Sequence, residues 1–223
     1  MNTSYIYLAL LDVIGYRARL EEDIQNADFS FKEDLQKALS FLSSVNTAVF
    51  NYQAISDTII LTCNTHNNFL KFLEILKDTF IAFLERDLYI RGGLAYARHF
   101  QNGNLTYSHA VTLAHELENK HATYPRILIS PNLIEMYRSG SELQEIFGKK
   151  LLVYQNGVYF LNILDNENWD QVHDLARKIY ISSKEKITFN ESAFMKHLWF
   201  ENYLFSSPFA NHQKKYIKNF EID

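Results

Sequence analysis

The run from Ser4 to Leu11 is β-branched, aromatic and aliphatic, carries no charge, ends in Asp12 and is followed by Gly15. Such a run predicts a buried strand that enters a tight turn and leaves polar chemistry at its end. From about Arg17 to Val45 the positions Phe31, Leu35, Ala38, Leu39, Leu42 and Val45 recur at helical spacing. One or two helices are expected there, with Asn26 to Ser30 as a break. Two strand-like runs follow, Thr47 to Ala54 and Thr58 to Thr62, separated by Ile55, Ser56 and Asp57. They read as a hairpin that presents Asp57 at its turn. Phe69, Phe72, Leu73, Leu76, Phe80, Phe83 and Leu84 make one helical stripe within Asn68 to Arg86, before a strand over Leu88 to Arg98.

The resulting order, β-α-β-β-α-β, is the split-βαβ or ferredoxin-like arrangement of the α+β class. In it an antiparallel-rich sheet carries helices packed on one face and leaves the other face free for a partner. A helix from about Ser108 to Asn119, a strand Arg126 to Ser130, a helix from Pro131 to about Tyr137 and a hairpin at Leu151 to Leu161, turning on Asn156-Gly157, complete this part. From about Glu167 the pattern is helical. The expected organisation is a domain over 1–166 with a C-terminal helical extension, 167–223, packed on it.

Composition narrows the function classes. In 223 residues, 47% are hydrophobic and 15% aromatic, while Gly and Pro number only 7 and 3, so regular elements with an ample core are expected. A net charge of −4 and the lack of a long basic run argue against a sequence-independent nucleic-acid binder. The longest apolar runs, such as Tyr5 to Leu11, are too short to span a bilayer, and the N-terminus has no charged region followed by an apolar one. The expectation is a cytoplasmic protein with no membrane insertion. The single Cys63 lies in an apolar run and reads as a buried, inert thiol. His109, His115 and His121 follow one another at six-residue spacing, not the i, i+4 spacing of a helical zinc site. Gly92-Gly93 belongs to no phosphate-loop or dinucleotide fingerprint, and no Gly-x-Ser-x-Gly or Cys-His arrangement points to covalent catalysis.

The candidate chemistry lies with two carboxylates. In the expected fold the strand ending at Asp12 neighbours the strand that follows Asp57, so the two side chains converge. Such a pair is a hard-oxygen site suited to Mg²⁺ or Mn²⁺, which bind few carboxylates and complete their shells with water and phosphates. Either aspartate taken singly reads as a cap or turn residue. As a pair they point to phosphoryl transfer, because Asp12 follows an uncharged run and Gly15 lets backbone N–H groups approach a phosphate.

Leu11-Asp12-Val13-Ile14-Gly15-Tyr16 resembles the first-metal motif of class III adenylate and guanylate cyclases. Ile55-Ser56-Asp57-Thr58-Ile59 resembles their second-metal hairpin, with Ser56 where Gly is usual. Tyr89-Ile90-Arg91-Gly92-Gly93-Leu94-Ala95-Tyr96, His115-Glu116-Leu117-Glu118, Ala122, Tyr124-Pro125-Arg126-Ile127-Leu128-Ile129, and Trp199 with Tyr203 are more similar to the uridylate and cytidylate cyclases of Pycsar antiphage defence. The resemblance covers nearly the whole chain. It implies a palm-type cyclase fold and a homodimer with its sites at the interface. Two ions, Mn²⁺ or Mg²⁺, would be held by Asp12, Val13 and Asp57, the phosphates by Ile14, Gly15 and Tyr16, and the base by residues among Phe50, Tyr52 and Gln53. Strand alternation allows only one of Tyr52 and Gln53 on the site face.

One departure accompanies the resemblance. Purine cyclases carry an Asn and, four residues on, an Arg that stabilise the transition state, where this chain has Thr112 and Glu116. Arg91 is the expected catalytic replacement, with Arg17, Arg98 and Arg126 as the other available cations. The implied activity is conversion of a pyrimidine nucleoside triphosphate, UTP or CTP, to its 3',5'-cyclic nucleotide and pyrophosphate, the messenger being read by a cyclic-nucleotide-gated effector of membrane or TIR type. The rival expectations are a cyclase-like dimer that only binds nucleotide, a purine cyclase, and an enzyme that makes a linear phosphodiester.

Overall fold

A computed structural model of the chain describes residues 4–102, 105–138, 140–212 and 214–217. The chain divides into two compact units, 1–163 and 164–223.

The first unit is built on β1 (Ser4–Ile14), whose alternate side chains point to opposite faces of a sheet and are apolar on both. That composition suits a central strand, and β1 pairs antiparallel on one side with β3 (Thr58–Cys63) and on the other with β4 (Tyr89–Asn102). The strand β2 (Phe50–Ile55) adds outside β3, so the order β2-β3-β1-β4 is that of the split-βαβ motif. Two crossovers therefore join parallel strands around an intervening one. The first runs through α1 (Tyr16–Asn26) and α2 (Ser30–Leu39), the second through α3 (Phe69–Leu84). Right-handed crossovers of this kind place their helices on one face.

On that face Tyr7 stacks on Phe69 at 4.8 Å, and Phe72, Leu76, Phe80 and Phe83 are fully buried. Cys63 is buried there as well, and burial pushes its thiol above the usual range, as befits an inert group. The opposite face is not left bare. Ile6, Leu8 and Leu10 of β1 and Ala95 and Ala97 of β4 pack against Ala110 and Ala114 of α4 (His109–His121). The motif's own helices thus keep to one side, as expected, while α4 covers the middle of the other and leaves β2 and β3 open. Gly93 permits the close approach: a Cβ there would stand 2.4 Å from the Ala114 carbonyl oxygen.

Beyond the motif, β6 (Ile127–Ile129) pairs parallel to β4, and the hairpin β7 (Leu152–Gln155) with β8 (Val158–Leu161) extends the sheet to eight strands. Between them lie α5 (Pro131–Tyr137) and α6 (Ser141–Gly148).

Several boundaries differ from the sequence reading. β1 continues past Leu11 to Ile14 because β4 pairs with it throughout, so Asp12 stands inside the strand. β2 begins at Phe50, not Thr47, because the amides of Val49 and Phe50 turn back onto the Asn46 carbonyl. A short strand β5 (Leu105–Ser108) was not expected; it folds back on β4, and its last residue caps α4, the Ser108 hydroxyl accepting from the Val111 amide at 3.1 Å. α6 was also missed.

The second unit holds α7 (Trp169–Ile187) and α8 (Glu191–Ser206). Trp169 is fully buried and its indole N–H donates to the Leu204 carbonyl at 2.9 Å. Glu201, also buried, accepts the amides of Tyr216 and Ile217 at 2.7 Å each, which ties the following segment to α8. Among the described residues no helix is long and apolar enough to cross a membrane.

Candidate active site

Register alone brings the two aspartates together. Asp12 pairs across β1 with Thr58 of β3, and Asp57 is the residue that leads into that strand. The Val13 amide donates to the Asp57 main-chain oxygen at 3.0 Å. The turn between β2 and β3 is the two residues Ser56 and Asp57, and Ser56 has φ 58, a left-handed conformation for which Gly is the usual residue.

Directly opposite Asp12 on β4 stands Arg91. Its Nε donates to Asp12 Oδ2 at 2.8 Å, its Nη2 lies 2.8 Å from Glu118 Oε1, and its Nη1 donates to the Ala122 carbonyl at 3.2 Å. The last contact places a cation at the C-terminal end of α4, where the helix dipole favours it. The Asp12 side chain keeps 21% exposure and Arg91 26%, whereas Glu118 keeps 8%. Burial raises the Glu118 carboxyl above the ordinary carboxylate range; Arg91 pulls it back, and Asp12 and Asp57 push it further up. Two carboxylates, Asp12 and Glu118, thus flank one guanidinium, and Asp57 is near enough to act on Glu118, which leaves a local excess of negative charge that favours a divalent cation.

Glu118 belongs to the site although the sequence motifs alone do not assign it there. A signal was present: Ala110, Ala114 and Glu118 are spaced by four on the buried stripe of α4, and a carboxylate on such a stripe needs a buried partner.

Gly15 has φ 81, and a Cβ there would meet nothing within 4 Å. It turns the chain from β1 into α1, whose first turn has no side-chain cap, so the amides that follow Ile14 and Gly15 are open to an anion beside Asp12. The Tyr16 ring packs edge-on against Phe31 at 5.1 Å, so only its main chain is turned to this role.

On the α4 side of the sheet an open groove of about 1280 Å³ runs along β2 and β3 as far as Ile55, beside the Ser56-Asp57 turn. Gln53 and Asn51 line it, and so do Thr112 and His109 from α4. Gln53 pairs with Ile60, which pairs with Leu10, and this places Gln53 on the same face as Asp12. Tyr52, which also borders the groove, pairs with Leu61 and by register belongs to the α3 face. Phe50 is on that face too, its ring 6.2 Å from Phe72. Of the three base-site candidates, Gln53 thus shares the face of Asp12, while Tyr52 and Phe50 lie by register on the other.

The cations are distributed unevenly. Arg17 is highly exposed on α1 and pairs with Glu21 at 3.0 Å. Arg98 is an odd number of residues from Arg91 along β4 and reaches Tyr5 on the other face, its Nε donating to the hydroxyl at 3.2 Å. Arg126 lies over the rings of Tyr124 and Phe160 at 5.6 and 5.5 Å. Glu116, one of the two residues in place of the usual pair, is exposed and bonded to Lys120.

The donor set fits Mg²⁺ or Mn²⁺. Asp12 and Asp57 offer hard oxygens at one place. Among the described residues no group of three or more His, Cys, Asp or Glu side chains forms a self-sufficient cage, so phosphates and water would complete the shell, as these ions prefer.

No family model matches the sequence, and no curated protein matches it. Among solved structures, the chain is similar to an adenylate/guanylate cyclase/hydrolase from Silicibacter pomeroyi at 15% identity, over 62% of this chain and 82% of that one, with a TM-score of 0.43. It is similar to the guanylate cyclase domain of RhGC from Catenaria anguillulae, solved with GTP, at 12% identity over 73% and 98%, with a TM-score of 0.48. It is also similar to the monomeric guanylyl cyclase domain of the RhoGC fusion protein from Blastocladiella emersonii, at 12% identity over 71% and 95%, with a TM-score of 0.47.

Proposed function

We propose that the chain is a nucleotide cyclase of the class III type that converts a pyrimidine nucleoside triphosphate, UTP or CTP, to the 3',5'-cyclic nucleotide and pyrophosphate. The observation that carries this reading is the convergence of Asp12 and Asp57 by strand register, near the left-handed Gly15 and two residues beyond Ile55, where the groove faced by Gln53 ends. Asp12 and Asp57, with Val13 of β1, would hold the two divalent ions. When bound, these ions lower the pKa of the ribose 3'-hydroxyl and offset charge on the phosphate oxygens.

The chain's own residues do the rest. The main chain from Ile14 to Tyr16 binds phosphate oxygens at the start of α1, which orients the α-phosphorus toward the hydroxyl. Gln53, with one donor and one acceptor group on a single amide, matches the edge of a pyrimidine. The bond from the 3'-oxygen to the α-phosphorus forms as the bond to pyrophosphate breaks, and the hydroxyl proton passes to solvent.

The active form in this reading is a homodimer with the groove at the interface. Leu105 at 61% exposure and Tyr107 at 79% stand on its rim as apolar surface for the second copy. The product would act as a defence messenger read by a separate effector of membrane or TIR type.

A second reading, a dimer that binds nucleotide without turnover, is favoured by one observation: Thr112 lines the groove and Glu116 is turned to Lys120, so α4 presents no cation at the usual pair. Incubation of the purified protein with Mn²⁺ and each of ATP, GTP, CTP and UTP, with products identified by mass spectrometry, separates the readings. A cyclic pyrimidine product is expected. A cyclic purine overturns the substrate assignment and leaves the mechanism, a linear product overturns the cyclisation, and no product from any nucleotide favours the binding dimer.

A further inference from the structure

We infer that Arg91 and Glu118 act as one positioning unit for Asp12, holding its carboxylate so that one oxygen is engaged and the other is presented to the metal site. The inference rests on the reading above in one respect, that Asp12 is a metal ligand. It replaces the sequence expectation that Arg91 is itself the cation at the transition state.

The geometry is specific. Each of the three nitrogens of Arg91 is engaged: Nε donates to Oδ2 of Asp12 at 2.8 Å, Nη1 donates to the Ala122 carbonyl at 3.2 Å, and Nη2 is ion-paired with Oε1 of Glu118 at 2.8 Å without hydrogen-bond alignment. A planar guanidinium held at three points cannot rotate without breaking two contacts, so it fixes the plane and direction of the Asp12 carboxylate. Only Oδ2 is taken; Oδ1 is left to the site. The anchors are firm because Glu118 is buried on α4, Ala122 ends the same helix, and α4 is seated on β4 through the close contact of Gly93 with Ala114. Packing between α4 and the sheet is thereby converted into aim at Asp12. Groups that orient metal ligands from behind in this way commonly change metal affinity when altered, without touching the ion.

Arg91→Lys and Glu118→Asp test the unit because each keeps its charge and alters only reach and shape. Binding of Mn²⁺ to the full chain is followed by the loss of the free-ion electron paramagnetic resonance signal beyond that of a protein-free solution with the same UTP, at a temperature where circular dichroism shows each variant folded. Roughly tenfold weaker Mn²⁺ binding is expected for each. The double variant should lose little more than the worse single one, because the two residues act through the same carboxylate. A purely structural role lowers the melting temperature and leaves Mn²⁺ affinity in the folded protein at the wild-type value, and that result overturns the inference for either residue. Fully additive losses overturn the claim of a unit. Wild-type protein that binds no Mn²⁺ with UTP present defeats the metal reading itself, and the inference falls with it.

Discussion

The amide of Val13 and the main-chain oxygen of Asp57 are joined at 3.0 Å, and that bond ties the end of β1 to the turn of the β2-β3 hairpin. Because the tie runs through main-chain atoms, it survives changes to the Asp57 side chain. Asp57→Ala is therefore expected to fold as the wild type does, with stability changed by no more than about 0.5 kcal/mol. Turnover of the preferred nucleotide should fall more than about 100-fold, since a lost ligand removes several kcal/mol of transition-state stabilisation. Urea denaturation and product assays on the same preparation check both parts; near-normal turnover rejects Asp57 as a metal ligand.

Gly93 offers a contrasting test in the packing beneath the site. A Cβ there would lie 2.4 Å from the Ala114 oxygen and 2.6 Å from the Leu117 Cβ, so α4 must move. Gly93→Ala should destabilise the protein by about 1–3 kcal/mol, visible as a lower urea midpoint. Gly15→Ala meets open space and strains only a left-handed φ, at about 1–2 kcal/mol. Activity lost by Gly93→Ala in the folded fraction would show that the seat of α4 is felt at Asp12.

The face assignment predicts a split between neighbours on β2. Gln53→Ala should change the ratio of kcat/KM for UTP and CTP by about tenfold, the size of one hydrogen bond in a recognition site. Tyr52→Ala, on the other face by register, should leave the ratio unchanged. Steady-state kinetics with both nucleotides decides, and the reverse pattern would place Tyr52 at the base.

Acid should weaken the second unit through His197. Burial lowers its pKa to about 4, with Lys196 adding to the shift, and its ring packs edge-on against Tyr180 at 5.7 Å. The unfolded chain, with a histidine pKa near 6.5, takes up a proton first as pH falls. The stabilisation is therefore complete above about pH 6.5 and is lost as pH falls toward 4, on the order of 3 kcal/mol in all. Urea midpoints at pH 7 and pH 4.5 should fall less for His197→Leu than for the wild type. Equal falls would assign the acid sensitivity to other groups.

Most of the elements were legible in the chain because periodicity is a local property: the stripe from Phe69 to Leu84 reads as α3, and the interrupted run around Asp57 reads as a hairpin. β5 is not legible in the chain because a four-residue strand, Leu105–Ser108, draws its stability from β4 and has little periodic signal of its own. Convergence of Asp12 and Asp57 was also readable, since it needs only the order of strands in the motif.

By itself the sequence determined the alternation of strands and helices, the turn that carries Asp57, and the rule that Tyr52 and Gln53 point to opposite faces. Only the tertiary structure decided that Gln53 shares the face of Asp12. That choice depends on the register of β2 with β3 and of β3 with β1. It likewise decided that Arg91 is held between Asp12 and Glu118, a meeting of residues from β1, β4 and α4. These contacts link distant parts of the chain, and no local pattern encodes them; they follow from which surfaces pack, and Gly93 beneath Ala114 is the packing that brings them into reach.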